Sequence, residues 1–563
     1  MKTKSTSILR TFLAPALSAL FATGASAANR YAVSSGNWDD AVWGSSATAV
    51  PGSPAPVNGD GAFIIPGVSV HTNNTTATLI VLRLGAASGS ALSELTIGGG
   101  GDVSTLTLSR AGGEMDVSLG RTASTNSTLN INTGGNLDAS TNAAAASSSL
   151  FAVGYAGSTT ARVNINGGTL SANTLVLGNG SSSKGYVTVN GGSLTTNALT
   201  LGLGSTSEAE LTVQNGGQVT VNDVLAIGWG TDGTANFTLT DGTVTLAKNF
   251  YVARAPNASA NLTVSGGVFD QETSGSGTSY VASGTGSTAT VTVNGTGTLR
   301  AKALYIGFRG NGTVNVTDGL LSLSAGSGAP TTVGDISGSN GTLRVSGGCF
   351  TQTSASAVLA IGNQTGSTGR VEISGSGQAN VANIIVGLGG SGTLEVSGGA
   401  LNARDITFAS DSGSTGTVTL NGGSLSATGN LIAGSGTATL ALNGGSLSAN
   451  ALLFIIADAS FASNFDITGS VANLSLANGI IVDLSSYSGD PTGETFNLLT
   501  YADNALEGAN ITFLFAPEAS LQGTATWAAN TLAVTIAAIP EPATCATLLG
   551  LSVLAVFALR RRR

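Results

Sequence analysis

The side chains able to do chemistry are few and dispersed. The chain of 563 residues holds one histidine, His71, and two cysteines, Cys349 and Cys545. A Ser-His-Asp or Cys-His mechanism needs an imidazole held between a nucleophile and a carboxylate, and a zinc site needs clustered Cys and His. His71 has no visible partner of either kind and reads as structural; Cys349 reads as a small buried hydrophobe. Paired carboxylates could cleave a polysaccharide. Glu208 and Glu210 share one strand face, but Asp223, Asp232 and Asp241 are scattered after them, as on an acidic solubilising surface. Gly98-Gly99-Gly100-Gly101-Asp102 approaches the G-G-x-G-x-D calcium repeat, yet its aspartate comes one place early and the motif does not recur. No catalytic residue, metal site or cofactor is expected, and the chain reads as a non-enzyme.

Composition narrows the partners. Charged residues make up only 9% of the chain and the net charge is −9; removing Lys2, Lys4, Arg10 and the four terminal arginines leaves the body seven units more negative. A body so poor in Lys and Arg cannot build the basic surface that nucleic acid requires, so a nucleic-acid partner is excluded.

The ends carry addresses. Lys2, Lys4 and Arg10 precede an apolar stretch, Thr11 to Ala22, and then Ala25-Ser26-Ala27. This is the pattern of a signal peptide over residues 1–27, cut between Ala27 and Ala28. At the other end Ile539-Pro540-Glu541-Pro542 leads into an uncharged run, Ala543 to Leu559, closed by Arg560, Arg561, Arg562 and Arg563. As a helix that run spans roughly 26 Å, the short end of what crosses a bilayer, and the arginines should stay cytoplasmic. Cys545 lies in this predicted transmembrane helix.

The arrangement over residues 539–563 resembles the PEP-CTERM tail of bacterial exported proteins. The resemblance implies that Pro540, Glu541 and Pro542 are the recognition element for an exosortase, which removes the helix and basic stop. It implies an inner-membrane stage, then the cell surface, outer envelope or extracellular matrix. It also links the chain to exopolysaccharide and biofilm systems.

Between the ends the sequence repeats. Asn166-Gly167-Gly168 recurs as Asn190-Gly191-Gly192, Asn215-Gly216-Gly217, Asn421-Gly422-Gly423 and Asn443-Gly444-Gly445, with degenerate copies between them. Each unit of about 24 residues reads strand, turn, strand, corner, strand, the last ending as in Leu199-Thr-Leu201-Gly202 or Leu304-Tyr-Ile306-Gly307. One unit has too few apolar side chains to offset the roughly 1–2 kcal/mol per residue that fixing its backbone costs. Stacked units share an interior. The prediction is an all-β protein, a parallel β-solenoid over residues 86–451, of about thirteen to fifteen rungs and on the order of 60–70 Å long. Asn-Gly between alternating runs is also a hairpin signal, and a series of antiparallel hairpins is the rival fold. The repeats resemble those of bacterial autotransporter-associated and PEP-CTERM surface proteins.

Residues 28–85, with Trp38 and Trp43, are predicted to cap the first rung, the tryptophans packing inward rather than stacking on sugars. Residues 452–538 are predicted to be a C-terminal β cap. The functional expectation is a structural or adhesive envelope component; the alternative is a polysaccharide-binding or polysaccharide-cleaving β-helix.

Overall fold

The turn beginning at Thr160 shows why the sequence takes the path it does. In Thr160–Asn166 the side chains of Ala161, Val163 and Ile165 are buried while those between them face out. Asn166-Gly167-Gly168 then turns the chain, with Gly167 at φ 78°. Thr169–Leu177 bends over a second corner, burying Leu170 and Ala172 on one side of it and Leu175 and Leu177 on the other. Gly178, at φ 65°, turns the chain back to its starting face. Both glycines occupy the left-handed region, which is cheap only without a β-carbon.

The computed structural model describes residues 28–539 except 41, 110–115, 141–148, 272–276, 462–463, 503–508, 518 and 529. Within them the chain winds through about sixteen turns of a parallel β-solenoid with three faces. Thr160–Asn166 pairs in parallel with Asn126–Asn132 on one side and Lys184–Asn190 on the other, never with the strand that follows its own Asn-Gly corner. The Asn-Gly corners therefore join adjacent faces, and the hairpin reading does not hold for the repeats. The turns outnumber the predicted rungs because stacking outruns the Asn-Gly-Gly beat. Gly61–Ile64 and Val81–Leu84 already lie in the third face. Leu452–Ile455, Ile480–Leu484 and Ile511–Phe515 continue it.

Vertical register turns each sequence position into a ladder. At the first corner Asn166 Nδ2 donates to Asn132 Oδ1 at 3.2 Å, Asn190 to Asn166 at 3.3 Å and Asn215 to Asn190 at 2.6 Å. At the third corner Thr159, Ser183, Ser207, Ser287, Ser367 and Ser414 each donate a hydroxyl hydrogen to the carbonyl three residues earlier. These buried hydroxyls satisfy carbonyls that the corner takes out of the sheet. Inside, Ala209, Ala235, Ala260 and Ala289 stack in one column, followed by Gly312, Gly341, Gly369, Gly392 and Gly416.

The ends differ. Asn29–Ala32 pairs antiparallel with Trp43–Gly44 and parallel with Gly61–Ile64. Trp38 and Trp43 are buried, edge to face at 5.0 Å, with Trp43 Nε1 donating to the Trp38 carbonyl at 2.8 Å. Both rings point inward, in the interior of the first turn. At the far end Leu521–Ala528 and Thr531–Ala538 form an antiparallel hairpin laid on Thr495–Tyr501. Among the described residues no helix is long and apolar enough to cross a membrane. The predicted signal peptide over 1–27, with Ala25 and Ala27, the sorting signal Pro540, Glu541 and Pro542, the span from Ala543 to Leu559 and the basic stop lie outside the described residues.

The glycine column yields a test. A β-carbon on Gly341 would collide with the amide nitrogen of Gly334 and the carbonyl oxygen of Ile306, both backbone. Gly341→Ala should therefore destabilise the protein by about 1–3 kcal/mol. Ala235→Gly, in the same column where the space exists, should cost only about 0.5–1 kcal/mol. Urea unfolding of the two variants checks the order, and equal midpoints would contradict the stacking.

A candidate binding face

The residues singled out in sequence do not converge. His71 ends the short strand Ser69–His71 with an exposed side chain, and its carbonyl accepts the Trp38 amide hydrogen at 2.7 Å. Cys349 is half-buried on the second face beside Leu320 and Gln378 of the neighbouring turns. Gly98, Gly99, Gly100 and Gly101 all have positive φ and close a tight turn in which the Asp102 amide donates to the Gly99 carbonyl at 3.0 Å. Glu208 and Glu210 lie on the first face, Asp223 follows the second, Asp232 sits in the third corner and Asp241 in the first. The fold thus spreads these carboxylates around the cross-section. No three His, Cys, Asp or Glu side chains meet in a metal-binding group among the described residues.

Several carboxylates meet cations of their own or an adjacent turn. Glu208 accepts from Lys184 Nζ at 2.7 Å and from the Tyr186 hydroxyl at 2.7 Å. The hydrogen bonds from Lys184 and Tyr186 hold the Glu208 carboxyl below its ordinary range. Burial, helped by the Glu208 contact, pushes the Tyr186 phenol up to about 12. Further along, Arg344 binds Glu372 at 2.6 Å, Arg370 binds Glu372, and Arg370 also reaches Glu395 at 2.6 Å. Lys248 pairs with Asp223 at 2.6 Å. These are exposed ladder pairs of small energetic weight.

The third face carries a different cluster. Tyr251, Tyr280 and Tyr305 are vertical neighbours on three successive strands. The rings of Tyr251 and Tyr280 are parallel within 3° at 5.1 Å. Tyr305 and Phe308 form a second pair at 5.7 Å, and both cross Tyr280 steeply, at 82° and 70°. Arg254 lies over Trp229 at 3.7 Å and over Tyr251 at 4.4 Å, and Arg309 lies over Phe308 at 5.1 Å. Only three turns separate Trp229 from Phe308, so five aromatic rings crowd one patch of a chain that is 5% aromatic. Ala253 and Ala282, which take the corner position beside this patch, hold φ of 55° and 57° where most turns have glycine. Such left-handed alanines cost roughly 1–2 kcal/mol each.

Asp335 follows the same corner one turn on and is buried. Burial raises its carboxyl above the ordinary range, against a hydrogen bond from Asn363 Nδ2 at 2.7 Å. Burial also raises the Tyr280 phenol, reinforced by Tyr251, Tyr305 and Asp335, and the Tyr305 phenol, reinforced by Asp335. The cluster escaped the reading by motifs because its members are 25 to 29 residues apart, as at Tyr251, Tyr280 and Tyr305. The signal was present in the outward residue of each third strand, as in Leu304-Tyr-Ile306-Gly307, read down the column instead of along the chain.

Comparison with known proteins adds the destination. Residues 538–563 match the PEP-CTERM protein-sorting motif. The motif implies an exported protein that crosses a membrane and is sorted by an exosortase to the cell surface or beyond. No curated protein and no solved structure matches the chain.

Asp335 makes the patch pH-dependent. An acid whose folded value is raised contributes stability that is fully present below its unfolded value, here 3.8, and is lost as pH rises through the folded value. Asp335→Asn removes that loss. The variant's urea midpoint should overtake the wild type's increasingly as pH rises above 3.8 towards neutrality; a pH-independent difference would contradict the assignment.

Proposed function

We propose that this protein is a non-enzymatic, exported rod, a structural or adhesive component of the cell envelope or extracellular matrix. The observation that carries the reading is the conjunction of the sorting motif at 538–563 with a solenoid of about sixteen turns. A rod of that size spans on the order of 75 Å. Its outward ladders are largely Ser, Thr and Asn, which hydrate a surface without concentrating charge, and carboxylates such as Glu208, Glu372 and Glu395 partner cations on adjacent turns. Such a surface suits reach and contact.

In this reading residues 1–27 direct secretion and the chain begins, once cut, at Ala28. Ala543 to Leu559 then holds the protein in the inner membrane, with Arg560 to Arg563 on the cytoplasmic side, until an exosortase acts at Pro540-Glu541-Pro542. Release or transfer leaves the rod at the surface or in a matrix containing exopolysaccharide.

Mass spectrometry of the protein recovered from its native host decides the handling. The expected mature chain starts at Ala28 and lacks Arg560 to Arg563. A chain still ending at Arg563 would defeat the processing step. Replacing Pro540, Glu541 and Pro542 by alanine should cause the unprocessed form to accumulate in the membrane fraction.

A further inference from the structure

We propose that the tyrosine and arginine ladder on the third face is a binding site for an acidic polysaccharide, a glycan strand bearing carboxylate or sulfate groups and lying along the rod axis. The charge balance of the rod points there first. Lys184, Lys248, Arg344, Arg370 and Arg404 each have a carboxylate partner. Arg254 and Arg309 have none within ion-pairing distance among the described residues. Instead Arg254 stands over Trp229 and Tyr251, and Arg309 over Phe308. A guanidinium offers planar N–H donors in the fork that matches a carboxylate or sulfate. The two arginines stand two turns apart on the patch that holds Trp229, Tyr251, Tyr280, Tyr305 and Phe308.

The periodicity selects the occupant. Arg254 and Arg309 are separated by two turns, about 10 Å at strand spacing, a distance on the scale of a disaccharide. Between them Tyr251, Tyr280 and Tyr305 repeat once per turn, each with a hydroxyl, and Phe308 adds an apolar ring. A linear ligand with alternating apolar ring faces, hydroxyls and spaced anions matches that order. The site rests on the exported-rod reading only for where the glycan is met. Binding itself is a property of the folded rod.

Affinity electrophoresis of the full-length protein in a polyoxyethylene detergent tests the site, with polygalacturonate in one gel and neutral dextran in another. Polygalacturonate should retard the wild type, less so as salt rises, and dextran should not. Arg254→Gln and Arg309→Gln should each weaken retardation about tenfold, equivalent to about 1.4 kcal/mol, and Tyr280→Ala should weaken it similarly. Arg404→Gln, which breaks a paired arginine elsewhere on the rod, should leave it unchanged. Circular dichroism checks each fold, and Arg254→Gln, on the surface, decides the matter if Tyr280→Ala proves unstable. The proposal is overturned by absence of retardation, by equal retardation in dextran, by unaltered Arg254→Gln and Arg309→Gln variants, or by an equal loss in Arg404→Gln. Those failures would leave the sorting reading intact, since that is decided by the mass of the mature chain.

Discussion

The parallel backbone ladder between turns is the constraint on which everything else depends. Within the repeats a strand such as Thr160–Asn166 pairs with the turn below and the turn above. A buried backbone group without a partner costs free energy comparable to a lost hydrogen bond. Register between turns is therefore fixed, and with it the vertical alignment of side chains. An asparagine at a corner meets the asparagine of the next corner, an interior alanine meets an alanine, and a surface tyrosine meets a tyrosine. Composition along each column becomes a structural variable in its own right.

The columns have different tolerances. Inside, the column from Ala209 to Gly416 changes from alanine to glycine, and a β-carbon on Gly312, Gly341, Gly369, Gly392 or Gly416 would meet backbone atoms, so volume is specified turn by turn. At the third corner the glycine rule gives way at Ala253, Ala282 and Ala409, which keep a left-handed φ despite their β-carbons. Two of the three flank the aromatic patch. The outer columns are freer, and there the chain has placed paired charges in some turns and stacked rings in others.

What could be read beforehand follows from the range of each signal. The Asn166-Gly167-Gly168 beat and the alternation of Val163 and Ile165 are local, so the solenoid was legible in them. The inward packing of the two tryptophans was legible because they stand outside the beat, and they are buried against each other. The extra turns were not legible, since strands such as Gly61–Ile64 and Ile480–Leu484 pair in register without carrying the corner motif. The C-terminal hairpin was read only as β structure, because alternation in Leu521–Ala528 cannot tell an antiparallel partner from a parallel one. The third-face cluster was hidden most deeply. Its residues acquire meaning only after winding sets Tyr251 beneath Tyr280 and Tyr280 beneath Tyr305.

The stacking of single turns also has a mechanical meaning. A folded turn adds about 4.8 Å to the rod. The same 24 or so residues, pulled straight, extend to about 80 Å. A chain held near Ile539 and loaded at its other end would yield one turn at a time, each release requiring the rupture of only one layer of hydrogen bonds. Slack would be paid out in equal steps while the remaining turns stayed intact, so the object that stands as a stiff spacer at rest becomes, under tension, a tether more than ten times its own length.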